Sequence, residues 1–166
     1  MGETVLILIK PDGIKKRIAG IVLNYFLQTN LEVLGLKLTN SRREISEKHY
    51  QHIQGTPFFE GVVSYLSGEI HGVSQVIVLA LRGEDAIQKC RDLVGATNPE
   101  DADPQSIRGA MGRITSKGIW ENVVHVSSCS DDAEREIKLW FDPEDLNQEV
   151  YETIQENVQT KQRIWK

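Results

Sequence analysis

Residues Thr4–Lys10 read TVLILIK, a continuous run of branched apolar side chains closed by Pro11–Asp12–Gly13. Such a run has no polar alternation, so it fits a buried strand, and proline–glycine turn chemistry stops it at Lys10. A buried strand needs elements to cover it. The apolar residues Ile18, Ile21, Val22, Tyr25 and Phe26 follow at helical spacing, and Asn30 ends that helix. Leu31–Asn40 alternates as a second strand, with Leu34, Leu36 and Leu38 expected on one face. Ser46 is placed to cap a short helix running through Tyr50 and His52, and Gly55–Thr56–Pro57 breaks it. Phe58–Leu66 reads as a helix ended by Ser67–Gly68, Val73–Leu81 as the third strand and Gly83–Val94 as the next helix.

From Gly95 to Gly118 the chain carries Asn98–Pro99, Asp103–Pro104, Gly109 and Gly112 and shows no period. It reads as one long loop, a length that in a compact domain often marks function. Asn122–Val126 is the fourth strand, and Asp131–Trp140 a helix with an acidic start. Beyond Phe141 the helical signal is weak, from Glu149 to Val158. The order β-α-β-α-α-β-α-loop-β-α predicts an α+β fold. It is a ferredoxin-like βαββαβ antiparallel four-stranded sheet, helices on one face, with a C-terminal extension after the last helix. The division expected is a domain over 1–141 with 142–166 packed on it. The architecture serves many functions and assigns none.

At 166 residues the chain suits one domain, which at this size buries roughly 68–70% of its unfolded surface. The net charge of −5 disfavours general attraction to nucleic acid or an anionic membrane. It leaves room for a local cationic pocket, because exposed charges are largely screened beyond roughly 8 Å at physiological salt. Cys90 and Cys129 give no disulfide framework and read as free packing thiols in a reducing compartment, hence a cytoplasmic location. No apolar run approaches membrane-spanning length, and the start of the chain lacks a secretion signal pattern.

The chemistry is expected around Val123–Val124–His125–Val126–Ser127–Ser128, where a β-branched strand run stops at an imidazole. An unperturbed histidine, pKa roughly 6.5, is largely neutral near pH 7 and can act as nucleophile or base. Lys10 ends its strand where a phosphate could lie, although a strand-end lysine in solvent is the plainer reading. Arg91, Thr97 and Arg108 offer guanidinium forks and a hydroxyl for phosphate oxygens. One charge pair at 4 Å is worth up to about 4 kcal/mol at an effective dielectric near 20. Neither G-x-x-x-x-G-K-[ST] nor G-x-G-x-x-G occurs, so a phosphate site would be built from side chains. His49 and His52 share an i, i+3 spacing but lack partners of metal-ligand spacing, and a plain helix surface is the better reading. Tyr50 and Phe58 flank the Gly55–Pro57 break and could form a stacking cleft, while composition alone favours core.

Several pieces occur in one order: Ile9–Lys10–Pro11–Asp12–Gly13; His49–Tyr50, then Pro57–Phe58–Phe59; Gly95–Ala96–Thr97–Asn98–Pro99; Ser106–Ile107–Arg108–Gly109; Asn122 ahead of His125; and Glu134–Arg135–Glu136 before Leu139–Trp140–Phe141. In this the chain resembles the nucleoside diphosphate kinases, over about Thr4 to Phe141. The resemblance implies ping-pong transfer of a terminal phosphate through a phosphohistidine at His125. It implies that Glu136 accepts a hydrogen bond from the other ring nitrogen and that Lys10 contacts the moving phosphate and the sugar. Arg91, Thr97 and Arg108 would hold phosphates, Asn122 the sugar, and Phe58 and Val62 the base. Tyr50 would hydrogen-bond near His125 or Lys10. The resemblance also implies Mg²⁺ carried by the nucleotide phosphates, with no protein ligand set, and a homo-oligomer, hexamer or tetramer.

The family pattern His-Gly-Ser-Asp-Ser here reads His125–Val126–Ser127–Ser128–Cys129, and the stretch from Arg108 to His125 is a few residues longer. A β-branched residue beside the nucleophile restricts the backbone. The alternative expectation is therefore a weak or silent nucleotide-binding member of the same fold.

Overall fold

The computed structural model describes residues 2–156. Its main sheet has strands β1 (Glu3–Ile9), β2 (Glu32–Asn40), β3 (Gln75–Gly83) and a last strand at Val124–Val126. In space they lie in the order β2, β3, β1, last strand, and every neighbouring pair is antiparallel. This is the α+β arrangement expected. β1 is an inner strand, completely buried from Val5 to Ile9, which is why its sequence carries no polar alternation.

Helices cover both faces of the sheet, not one. Val5, Ile7 and Ile9 pack with Val22 and Phe26 of α2 (Ala19–Leu27) and, across the loop-rich side, with Ile87, Cys90 and Val94 of a helix over Ala86–Val94. Leu6 and Leu8 point the other way, toward Tyr50, Leu66, Ile137 and Trp140. Because every β1 residue alternates between two apolar layers, neither face can be left to water.

Other local expectations change for identifiable reasons. Pro11 opens a short helix, α1 (Pro11–Lys15), rather than a turn, since its fixed φ and missing N–H suit the first helical position. Leu34, Leu36 and Leu38 do not share a face. A register shift between Val33 and Gly35 leaves Leu34 in the core and turns Leu36 and Leu38 out, 48% and 60% exposed. Ser46 lies inside α3 (Arg43–His49), its hydroxyl bonded to the Arg42 carbonyl and to Ser41, so it is not the cap. After α4 (Phe59–Leu66) and α5 (Ala86–Val94), the expected loop contains α6 (Ile107–Met111), whose N-cap Ser106 accepts from the Gly109 N–H, and a hairpin of β4 (Arg113–Ile114) and β5 (Trp120–Glu121). The last strand is thus β6 (Val124–Val126), followed by α7 (Ser130–Trp140).

After α7 comes a 3-10 turn at Pro143–Asp145, and residues 149–156 are not helical; the remainder of the helical expectation, to Val158, lies outside the described residues. Leu146, Val150 and Tyr151 pack against the α7 side of the core, the Asn147 N–H donates to the Leu34 carbonyl, and the Tyr151 hydroxyl meets Thr4. No helix among the described residues is long and apolar enough to cross a membrane. Cys90 is buried, whereas Cys129 is exposed rather than packed.

Candidate active site

β6 pairs with β1 so that Leu8 faces His125 across the ladder, which turns the imidazole toward α3, α4 and α7. The histidine is therefore in the middle of a short strand, not at its end. α7 buries Ala133, Glu136, Ile137 and Trp140, one stripe at helical spacing, and Glu136 occupies the position in that stripe opposite the ring. His125 Nε2 lies 2.9 Å from Glu136 Oε2. The same oxygen accepts from the Ser127 hydroxyl at 2.7 Å, and Glu136 Oε1 lies 3.4 Å from Arg135 Nη2. A carboxylate accepts only, so Nε2 carries the proton and the Nδ1 lone pair is left available. Ser127 is a part of this site that the residue pattern alone does not single out.

The strand is held by strain and by Arg108. Val123, a β-branched residue, takes φ 66°, and its carbonyl accepts the Lys10 N–H at 2.8 Å. Such a conformation persists only where neighbours over-determine it. Arg108 donates from Nε and Nη2 to the Val124 carbonyl at 3.3 and 2.9 Å, and from Nη1 to the Gly95 carbonyl at 2.9 Å. Gly95 has φ 77°, and a Cβ there would lie 2.3 Å from the Ser106 hydroxyl, so glycine alone lets α5 end under this guanidinium. Three of five guanidinium N–H groups are engaged; two remain for a ligand. Burial is the main cause that lowers the Arg108 pKa, to about 10, with Arg91 adding to it.

Lys10 is buried rather than in solvent, and Nζ donates to Asn122 Oδ1 at 2.7 Å. Burial, then Arg108, brings its pKa down to about 7. Asn122 Nδ2 donates to the Thr97 carbonyl at 2.9 Å, tying the Gly95–Pro99 segment to Lys10. Thr97 and Arg91 are exposed. Phe58 is 57% exposed just before α4, not core, and Val62 follows one turn later, half-buried. Phe59 takes the packing role. Tyr50 is buried 4.8 Å, ring to ring, from His49; among the described residues its hydroxyl makes no hydrogen bond to His125 or Lys10, because its ring is drawn into the α3–α7 packing. His52 is exposed, its ring 6.4 Å from that of Tyr50.

His49 is not on a helix surface. It is fully buried, its ring 4.4 Å from that of His125 and nearly perpendicular, and Trp140 Nε1 donates to its Nδ1 at 3.2 Å. The partners missing in sequence come from β6 and α7: His49, His125 and Glu136 bring ligand-type atoms within 4.8 Å of one another. Burial first, then the neighbouring charges of His125, Lys10 and Arg135, holds the His49 pKa well below the ordinary value, so it is a neutral wall. Val126 lies in extended β6 opposite Ile7, with its side chain in the core, and no left-handed glycine is required there. Exposed Ser128 hydrogen-bonds to Asp132, so a carboxylate stays beside that position.

The family model for nucleoside diphosphate kinase matches residues 3–146. The chain belongs to the nucleoside diphosphate kinase family. Among curated members, the nucleoside diphosphate kinase of Pyrococcus furiosus is 37% identical over 144 residues, covering 87% of this chain and 86% of its own. That of Synechococcus elongatus is 35% identical over 145 residues, covering 87% and 91%. The nucleoside diphosphate kinase of Halobacterium salinarum, solved in complex with CDP, superposes with a TM-score of 0.79 at 31% identity, over 89% of this chain and 93% of that one. That of Borrelia burgdorferi, a transition-state mimic with vanadate and ADP, gives 0.78 at 27% identity, over 92% and 93%. The activity is accordingly that of a nucleoside diphosphate kinase, a phosphotransferase acting on nucleotides, and a silent member is not favoured.

Proposed function

We propose that His125 Nδ1 is the atom that carries the phosphoryl group between two nucleotides. The observation that carries this reading is the 2.9 Å contact of Nε2 with Glu136, which leaves Nδ1 as the unprotonated nitrogen. In the first half-reaction the Nδ1 lone pair attacks the terminal phosphorus of a nucleoside triphosphate. The bond to the bridging oxygen breaks, and the diphosphate leaves. In the second, a different diphosphate attacks phosphohistidine by the same path in reverse. Glu136 stabilises the positive ring formed in between and fixes its orientation. The two unengaged Arg108 N–H groups, Lys10, Arg91 and the Thr97 hydroxyl hold phosphates; Asn122 meets the sugar; Phe58 stacks the base over Val62. A stacked base with no edge-reading group predicts broad base tolerance. The test is transfer from ATP to GDP, CDP and UDP by the purified chain: comparable turnover on all three supports the reading, and no transfer refutes it.

Mg²⁺ is the metal proposed. Arg91 and Arg108 are cations, Lys10 becomes one as phosphate binds, and Glu136 is already engaged by His125, Ser127 and Arg135. This donor set suits a metal held by phosphate oxygens rather than by a protein cage. When bound it neutralises charge on the phosphates.

Glu136→Gln keeps the shape and removes the charge. We expect kcat to fall about 10–100-fold with KM nearly unchanged, since the lost interaction strengthens only as the ring becomes cationic. Steady-state kinetics with ATP and GDP measures this. Lys10 gives a pH signature. Its pKa of about 7 applies to the nucleotide-free protein, and polyphosphate raises it. At about pH 8, nucleotide binding then takes up a proton, so affinity falls as pH rises past the free pKa. Calorimetry in buffers of different ionisation enthalpy reads this uptake, and Lys10→Arg abolishes it.

The chain is proposed to form a homo-oligomer. β2 is an edge strand with exposed Val33, Leu36 and Leu38, and α2 exposes Ile21 and Leu27 on the face that Leu36 and Leu38 share. Sedimentation of the wild type should give a multimer, and Leu38→Glu should dissociate it. We further propose that the segment from 142 to 156 extends the same domain, on the Leu146, Val150 and Tyr151 packing, the rest of the expected extension, 157–166, lying outside the described residues, and that the protein is cytoplasmic, on its free thiols.

A further inference from the structure

The hairpin β4–β5 ends at Glu121, directly before Asn122, and this junction is built like a clamp. Glu121 is buried. Its Oε2 lies 2.6 Å from Arg113 Nε and 3.0 Å from Lys16 Nζ, and its Oε1 lies 3.3 Å from Arg113 Nη2 and 3.8 Å from His71 Nδ1. Each partner comes from a different part of the fold. Arg113 is on the facing strand of the hairpin, Lys16 is the C-cap just after α1 and also reaches Asp12 at 3.3 Å, and His71 is in the α4–β3 connection, where Lys15 Nζ donates to its carbonyl. Burial alone would raise the Glu121 pKa, yet hydrogen bonds from Arg113 and Lys16 hold it at about 2, so it stays anionic in the working pH range.

What the clamp fixes is the next two residues. Asn122 is bonded on one side to Lys10 Nζ and on the other to the Thr97 carbonyl, and Val123 holds the strained left-handed conformation. A strained residue is stable only if both flanks are anchored. Val123 is anchored downstream by the β6 ladder and upstream through Asn122 by the Glu121 contacts. The hairpin itself is only two residues per strand, too short to anchor anything alone.

We propose that Glu121 is a positioning residue for nucleotide binding: by joining the β4–β5 hairpin to α1 and the α4–β3 connection it holds Asn122 where the sugar is met. The inference rests on the proposed reading in which Asn122 meets the sugar and His125 carries the phosphate. A contact to the sugar is made in ground and transition states alike, so its loss moves KM more than kcat.

The test uses the full chain and two phosphoryl donors. ATP needs Asn122. Phosphoramidate has no sugar: the bond from Nδ1 to phosphorus forms as the reagent's P–N bond breaks and ammonia leaves. In Glu121→Gln, which keeps size but removes the charge and turns one acceptor oxygen into a donor against Arg113 or Lys16, we expect His125 labelling by ATP to lose about tenfold in kcat/KM, mostly in KM, while phosphoramidate labelling stays within about twofold. In the Asn122→Ala background the same substitution should have no further effect on ATP labelling. Equal losses with both donors mean a merely structural role and overturn the proposal, as do unchanged rates with both or additive losses in the double variant. A wild type labelled by neither donor overturns the phosphohistidine reading instead.

Discussion

His125→Ala should lower transfer from ATP to GDP by at least about four orders of magnitude, because on the proposed mechanism the reaction loses its route through a covalent intermediate. The neighbouring imidazole does not substitute. His49 Nδ1 accepts from Trp140, so its Nε2 carries the proton and has no lone pair to offer. The fold should survive: Glu136 keeps the Ser127 hydroxyl and Arg135, so removing the ring does not strand a buried carboxylate. Circular dichroism and nucleotide binding should therefore match the wild type while turnover vanishes. Turnover within tenfold of wild type would mean that the phosphoryl group passes directly between nucleotides.

Arg108→Ala should be the next most damaging change, lowering kcat/KM about 10²–10³-fold through both a higher KM and a lower kcat. Two consequences combine. The phosphate loses two charge-assisted N–H donors in a buried setting, and the carbonyls of Val124 and Gly95 lose their partner, which loosens the strand carrying His125. Arg108→Lys should restore only a small part, since an ammonium on a flexible stem cannot span both carbonyls and still face the ligand. Kinetics with ATP and GDP, alongside thermal unfolding, separates the two effects. A normal KM in Arg108→Ala would place this residue outside the phosphate site.

The strands and main helices were legible because their signals are local. The TVLILIK run, the helical repeat at Val22 and Phe26, and the apolar stripe at Ala133, Ile137 and Trp140 each follow from burial at a fixed period. The failures are equally physical. The bulge near Leu34 shifts a register that alternation cannot see, and turns Leu36 and Leu38 outward. α6 and the β4–β5 hairpin are too short to show a period. Of the residues the structure brings together, Lys10, Asn122, His125 and Glu136 were named from motif order. His49 stood in that order without a role, and Ser127 and Glu121 had none assigned, because their contacts lie 76 to 105 positions away or in a hydrogen bond to a residue already chosen: His49 meets His125, Ser127 meets Glu136 and Glu121 meets Lys16. Helices on both sheet faces likewise follow from the long-range pairing of β1, not from any local pattern.

The most direct measurement is to mix the wild-type chain with γ-labelled ATP and no acceptor, quench, and locate the label by peptide mapping. The account predicts a stoichiometric, acid-labile and base-stable phosphate on His125 that GDP then removes as GTP. A label on any other residue, or brisk ATP-to-GDP transfer with no protein-bound phosphate at any time, would contradict it.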